Sequence, residues 1–600
     1  MNPYAFEQFA ATRTFGALAY DPSGERLFYI ANTTGQRNLW ALPSGGGFPQ
    51  QLTSFSEERV TDFSVSPDGQ QLAFLADRHG DEMTQVWRLP AAGGWPERLT
   101  DVLAAQFTLG EWLDDERVVV TANDKEPSEQ HPQLLDTKAG ERQRLLTGGI
   151  FYGATVSPAA EHLLILEFLG NTNQNLYVYD VSTGQKTLAT PHQGDAVHFP
   201  GPWTQNGFYL LTNEGREFTG LAFYSLAEGK WAYVFTPEHD VEKVVLSRDR
   251  KLLVAVVNEA GASQLYALDL EHDKELALPR LPYGVVEQLD VHPSREKIAL
   301  LLGTATEADN IFELDLTSGE LKALEQSMLG GVRQSDLLEP ELISYPSFDR
   351  DVPAWLYRPE PSERRVPVVL SIHGGPESQE RPEYAYNGLY QYLLSRGIGV
   401  LAPNIRGSTG YGISYQKLIH RDWGGGELGD VRHAAEYLRT LDWVDPAQLA
   451  VFGGSFGGFA TLSALTRLPE YWATGVDLVG PSNLVTFVES VPPFWRPTMR
   501  DWVGDAEDDR DFLLERSPIT YIDQIRAPLL VMQGANDPRV VQAESDQMVE
   551  GLRQRNLDVT YYVDEKSGHG PSSREDGVRW MKMIAEYLED KLLENVSELS

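Results

Sequence analysis

The chain has 600 residues, too many for one hydrophobic core, with 50 basic against 87 acidic side chains and a formal charge of −37. Acidity spread along the whole chain argues against nucleic acid or an anionic membrane as partner and for a solvated, self-repelling surface. The absence of cysteine removes disulfides, thiolate metal sites and a cysteine nucleophile.

The opening residues, Met1 to Arg13, lack a basic n-region and a continuous apolar h-region, and no stretch approaches ~18 apolar residues. A soluble cytoplasmic protein is the expectation, with 1–13 as a short N-terminal segment. Residues 14–327 then repeat one phrase seven times. Its full form is Val65-Ser66-Pro67-Asp68-Gly69-Gln70-Gln71-Leu72-Ala73-Phe74, a strand end, a tight polar turn and a second strand. The copies begin at Asp21, Ser66, Trp112, Ser157, Trp203, Ser247 and His292, a period of 44 to 46 residues. A fixed period in the mid-forties with several short strands per unit is the signature of a β-propeller. The first unit already holds four strands between Phe15 and Thr53, and the seventh ends near Gln326. No strand is left to be exchanged, so the expected ring is closed by side-chain packing alone.

A linker at 328–335 leads to motifs of an α/β-hydrolase domain, a doubly wound and mostly parallel sheet, expected over 336–595. Val366 to Ile372 is an apolar strand running into His373-Gly374-Gly375-Pro376. A Gly-rich turn after such a strand lets a backbone N–H point at a reacting carbonyl oxygen, which makes Gly375 a candidate donor. Next, Gly453-Gly454-Ser455-Phe456-Gly457 follows the run Leu449 to Phe452. Gly-x-Ser-x-Gly between a strand and a helix is a nucleophile elbow, with Ser455 exposed on a strained turn and the Phe456 N–H as second oxyanion donor. Pro528 to Gly534 reads as a buried strand with Asp537 just beyond its end, and His569 lies on a Gly-flanked loop after the strand from Val559. The order Ser455, Asp537, His569 is that of α/β-hydrolase triads.

With Glu339 to Asp349 at the start of the domain and Asn404-Ile405-Arg406-Gly407-Ser408-Thr409-Gly410-Tyr411-Gly412 between these motifs, the chain resembles the prolyl oligopeptidase family of serine peptidases, most closely its acylaminoacyl-peptidase-like branch. The resemblance covers essentially the whole length, and six ordered motifs are far more specific than the pentapeptide. It implies Ser455 as nucleophile, His569 as general base and Asp537 as the residue orienting it. It places on Arg539 the arginine that holds a substrate carbonyl or carboxylate, a task suited to a planar fork of donors. It also implies a propeller that covers the catalytic face and admits peptides but not folded proteins. Phe487, Phe494 and Trp495, after the next strand, are read as an apolar pocket for the residue before the scissile bond. Two departures stand out. His373 occupies the place of the tyrosine that donates to the oxyanion in some members, which favours the Gly375 backbone. The N-terminal segment is shorter than the extension that some members pack against the hydrolase.

The expected function is hydrolysis of short peptides through an acyl-enzyme, with dipeptidyl peptidase or carboxylesterase as alternatives using the same triad. A dipeptidyl peptidase needs acidic residues on the propeller to hold the substrate amine, and Glu57-Glu58 reads as a solvated loop. His-Glu-x-x-His is absent and His239 and His272 are isolated, so no metal and no cofactor are expected. Short peptides are the expected partners, with a homo-oligomer allowed and neither nucleic acid nor membrane.

Overall fold

The computed structural model describes residues 4–593; the expected limits at 1 and 595 lie outside them. Seven four-stranded antiparallel sheets, each of four consecutive strands, form the blades of a propeller. Blade 1 starts at Phe15–Tyr20 and blade 7 ends at Leu321–Glu325. The repeated phrase makes the turn between the first two strands of a blade. In blade 2 the Ser66 hydroxyl donates to Asp68 at 2.7 Å and accepts the Gln71 N–H at 3.0 Å, which closes the hairpin locally.

Among the described residues no blade takes a strand from elsewhere in the chain. Blades 7 and 1 are joined instead through Tyr20. Its N–H donates to Asp290 at 2.8 Å, its hydroxyl donates to Glu313 at 3.2 Å, and its ring meets His292 edge-on at 4.9 Å. Arg13 pairs with Glu325 at 3.0 Å across the same seam. Burial at this seam pushes the Asp290 carboxyl up to about 6.

The second domain is built on an eight-stranded sheet. In spatial order its strands are Glu341–Ser347, Arg350–Tyr357, Gly399–Pro403, Val366–Ile372, Val444–Gly454, Thr474–Leu478, Leu529–Gly534 and Val559–Asp564. The first two pairings are antiparallel and the rest parallel. Strands such as Val366–Ile372 are buried along their whole length, as a parallel strand covered on both faces must be. Separate apolar cores fill the two faces, one around Phe459 and Leu465, the other around Trp580 and Leu588. Among the described residues no helix is long and apolar enough to cross a membrane.

The short N-terminal segment does pack on the hydrolase. Helix Phe6–Phe9 buries both phenylalanines against Tyr392, with ring centroids 5.5 and 5.8 Å apart. The described residues before Phe15 thus lie on the second domain before the chain enters blade 1. Loops between the second and third strands of the blades face the hydrolase. Asn258 donates to Gln379 at 2.6 Å, Thr306 donates to Glu339 at 2.7 Å, and Arg381 donates to both oxygens of Glu242 at 3.1 Å.

Because Tyr20 joins the last blade to the first, Tyr20→Ala is expected to destabilise the propeller by about 3–5 kcal/mol. Tyr20→Phe, which loses only the bond to Glu313, should cost about 1–2 kcal/mol. Scanning calorimetry checks both; equal losses would contradict closure through the packed ring.

Candidate active site

The strand Val444–Gly454 ends one residue before helix Phe456–Arg467, and Ser455 makes the turn alone at φ 57°, ψ −120°. A non-glycine residue held there stores about 1–3 kcal/mol of strain, so the surroundings must over-determine it. They do. The Ser455 N–H donates to Leu478 O at 2.8 Å and its carbonyl accepts the Phe459 N–H at 3.0 Å. A Cβ on Gly453 would collide with Gly457 O, and one on Gly457 with Ile372 O, so both flanking positions must be glycine.

Asp537 lies three residues past strand Leu529–Gly534 with its side chain fully buried. One carboxylate oxygen accepts the N–H groups of Arg539 at 2.9 Å and Val540 at 3.0 Å. The other faces His569 Nδ1 at 2.7 Å. A carboxylate can only accept, so Nδ1 carries the proton and Nε2 is left as the basic nitrogen. The loop bearing His569 is wedged tightly: Gly568 has its carbonyl against Gly534 and its Cα against the Gly80 backbone of the propeller, where no side chain would fit.

The His373–Pro376 turn sits over the elbow, and a Cβ on Gly374 would lie 3.4 Å from Ser455 Cβ. The His373 ring is buried, with Nδ1 2.7 Å from Gly374 O and Nε2 2.8 Å from the Ser408 hydroxyl. Burial pushes its pKa down, so the ring is neutral. Nδ1–H donates to Gly374 O, and the single Ser408 hydroxyl proton is shared between His373 Nε2 and Ile405 O, the latter 2.7 Å away. His373 therefore fixes the turn while Gly375 presents its backbone to the cavity. Phe456 opens a helix, and N–H groups of a first turn lack intrahelical acceptors.

Ser455, Phe456 and Gly375 line a cavity of about 530 Å³ together with Arg539, Phe487, Phe494 and Trp495. Every candidate residue outside the Asp537–His569 pair is thus brought to one hollow. Sequence reasoning missed its other wall, which the propeller supplies as Ile150, Tyr152, Phe168 and Asn171. It also missed Trp423, whose ring meets Phe456 edge-on at 4.7 Å. Arg539 lies over Trp495 at 5.8 Å, and its Nε is 2.8 Å from the carboxylate of Glu82, a propeller residue. Glu57, by contrast, pairs with Arg78 and is exposed.

Behind the pocket, a buried Glu544 carboxylate accepts the N–H groups of Ser482 at 3.0 Å and Asn483 at 2.9 Å, and the Thr486 hydroxyl. These bonds hold the segment that follows Pro481 and leads into helix Leu484–Ser490, which carries Phe487. Nothing in the sequence marks Glu544 except its place early in a helix.

The chain is similar to known proteins. The profile of the prolyl oligopeptidase family matches residues 384–595, and that of the prolyl oligopeptidase N-terminal beta-propeller domain matches 53–327. The chain is 42% identical to dipeptidyl aminopeptidase BIII of Pseudoxanthomonas mexicana over 234 residues, 38% of this chain and 33% of that protein. It is 30% identical to the human acylamino-acid-releasing enzyme over 251 residues, 40% of this chain and 33% of that enzyme. Both alignments thus span about a third of the relative's length. A solved Mycobacterium tuberculosis puromycin-hydrolyzing peptidase shares the fold, with a TM-score of 0.83 over 99% of this chain and 96% of that one at 20% identity.

Glu544→Ala leaves the buried Ser482 N–H and the part-buried Asn483 N–H without their acceptor, a cost of about 1–3 kcal/mol for the buried one. The expected result is a pocket wall that shifts and a kcat/KM lowered roughly tenfold or more, mostly through KM. Glu544→Gln, which keeps one acceptor oxygen, should fall between. Steady-state kinetics on a peptide substrate checks the order.

Proposed function

The chain belongs to the prolyl oligopeptidase family of serine peptidases, and we propose that it hydrolyses short peptides of the acylaminoacyl or oligopeptide type. The observation that carries this reading is the largely apolar cavity with Ser455 on one wall and propeller residues on the other. A short peptide fits a hollow roofed by a second domain, whereas a folded protein does not.

In the proposed reaction the Ser455 hydroxyl attacks the carbonyl carbon while His569 Nε2 takes its proton, and Asp537 holds the imidazole and offsets the charge it gains. The oxyanion of the tetrahedral intermediate is held by the N–H groups of Gly375 and Phe456. His569 then gives its proton to the leaving amine, the C–N bond breaks, and an acyl-enzyme forms on Ser455. A water molecule, deprotonated by His569, releases the acid and restores the serine. Arg539 holds a substrate carbonyl or carboxylate, and Phe487, Phe494 and Trp495 take the side chain before the cleaved bond.

Dipeptidyl release is the second reading. It is favoured by Glu82, which brings a propeller carboxylate to Arg539 at the cavity, and by the similarity to a dipeptidyl aminopeptidase. The first reading fits better, because Arg539 already neutralises Glu82 and leaves little charge for a free amino terminus.

Ser455→Ala should lower turnover by about 10⁶ and Asp537→Asn by about 10⁴, by analogy with other serine proteases. A fluorophosphonate should label Ser455 in the wild type and nothing in Ser455→Ala. Acetylated and free dipeptide anilides, assayed side by side, separate the two readings; a strong preference for the free amine would overturn the first.

A further inference from the structure

A second cavity, of about 180 Å³, lies where the propeller meets the segment after His569. It is several times the ~30 Å³ of one water. No carboxylate lines it, although the chain has 87 acidic residues, and its walls carry Arg37 and Arg59 from the propeller and Arg574 from the hydrolase. Arg59 is neutralised by Asp77, to which it donates at 2.7 and 2.9 Å. The other two have no carboxylate bonded to them, although the Asp77 charge also reaches Arg37. Among the described residues Arg37 makes no ion pair and no side-chain hydrogen bond; the Arg574 guanidinium donates only to the carbonyl of Ala11, and its backbone N–H donates to Gly35 O at 2.9 Å. Burial pushes both guanidinium groups down from their usual range. An unpaired charge held in such a place is costly.

Other polar side chains on its walls include Thr12, Asn32, Gln36 and Asn387; the Ser572 and Ser573 hydroxyls already donate to Lys566 O and Asp576. Arg574 opens the 20-residue helix Arg574–Leu593, whose first turn also carries Glu575 and Asp576. We propose that this cavity is an anion site for a divalent tetrahedral oxyanion of the phosphate or sulfate class, bridged by Arg37 and Arg574. Two guanidinium groups with no bonded carboxylate suit a dianion, and both offer the planar fork that suits its oxygens. The ligand joins three parts of the chain: blade 1, the N-terminal segment and the segment that follows the His569 loop. Its occupancy fastens the propeller to the hydrolase at that loop.

The test is a titration of the full chain with inorganic phosphate in chloride buffer of constant ionic strength, read as melting temperature and by calorimetry. A saturable rise in melting temperature is expected, matched by sulfate and not by acetate. Arg37→Gln and Arg574→Gln should each weaken phosphate binding roughly 10- to 100-fold. Without phosphate, Arg37→Gln should melt at or above the wild type, because it removes an unpaired charge. A parallel titration with phosphoserine identifies the source: phosphate alone assigns the free ion, and equal binding assigns a phosphate carried on a chain. No saturable response in the wild type overturns the site. So does an undiminished response in both variants, or acetate acting as well as phosphate.

Discussion

The rest of the site depends on one crowded crossing of backbones, where a strand turns into a helix around Ser455. The turn is permitted because Gly453 and Gly457 leave room for each other and for Ile372 O. It is held because Leu478 O takes the Ser455 N–H. Both carbonyls belong to the neighbouring parallel strands, so the serine's conformation is set by sheet register rather than by its own propensity. Next to it, Val479 is held at φ 49°, rare for a β-branched residue. A buried Asp477 accepts the Gly480 N–H at 3.0 Å and closes that turn. Burial raises the Asp477 carboxyl well above its usual range. Strain at the serine and strain beside it are sustained by the same packed sheet.

The propeller is more than a lid in this arrangement. It supplies one wall of the 530 Å³ cavity and the carboxylate that faces Arg539. It also presses Gly80 against the loop that carries His569. The seam between the domains is polar in many places, with Arg381 on Glu242 and Asn258 on Gln379. Polar seams of this kind exchange readily with water, in contrast to the apolar cores within each domain.

What could be read from the sequence was local. Seven copies of one turn-and-strand phrase reveal a propeller because each blade is built from consecutive residues and closes its own hydrogen bonds. Ring closure without a shared strand follows from counting the strands in the first and last units. The Gly-x-Ser-x-Gly run, Asp537 and His569 stand out because elbow and loop chemistry demand those residue types at strand ends. Helix Phe6–Phe9 is one turn long, too short to show a periodic pattern, so its docking on Tyr392 was hidden. The contributions of Glu82, Ile150, Tyr152 and Phe168 were equally silent. Each is an ordinary residue of a blade loop or strand, and its role arises from the rigid placement of one domain on another. Arg37 is the sharpest case: an unremarkable arginine in sequence, it becomes conspicuous only where no carboxylate comes to meet it.

The contact between Gly80 and Gly568 has a consequence for how such a molecule runs. Two backbones that touch without side chains leave no slack, so parting the domains withdraws the support from the segment that carries the imidazole. On the proposed chemistry, admitting a substrate and cutting it then belong to separate phases of one cycle. On that chemistry a protein with its domains parted would be disarmed, and a large polypeptide wedging them open would escape cleavage.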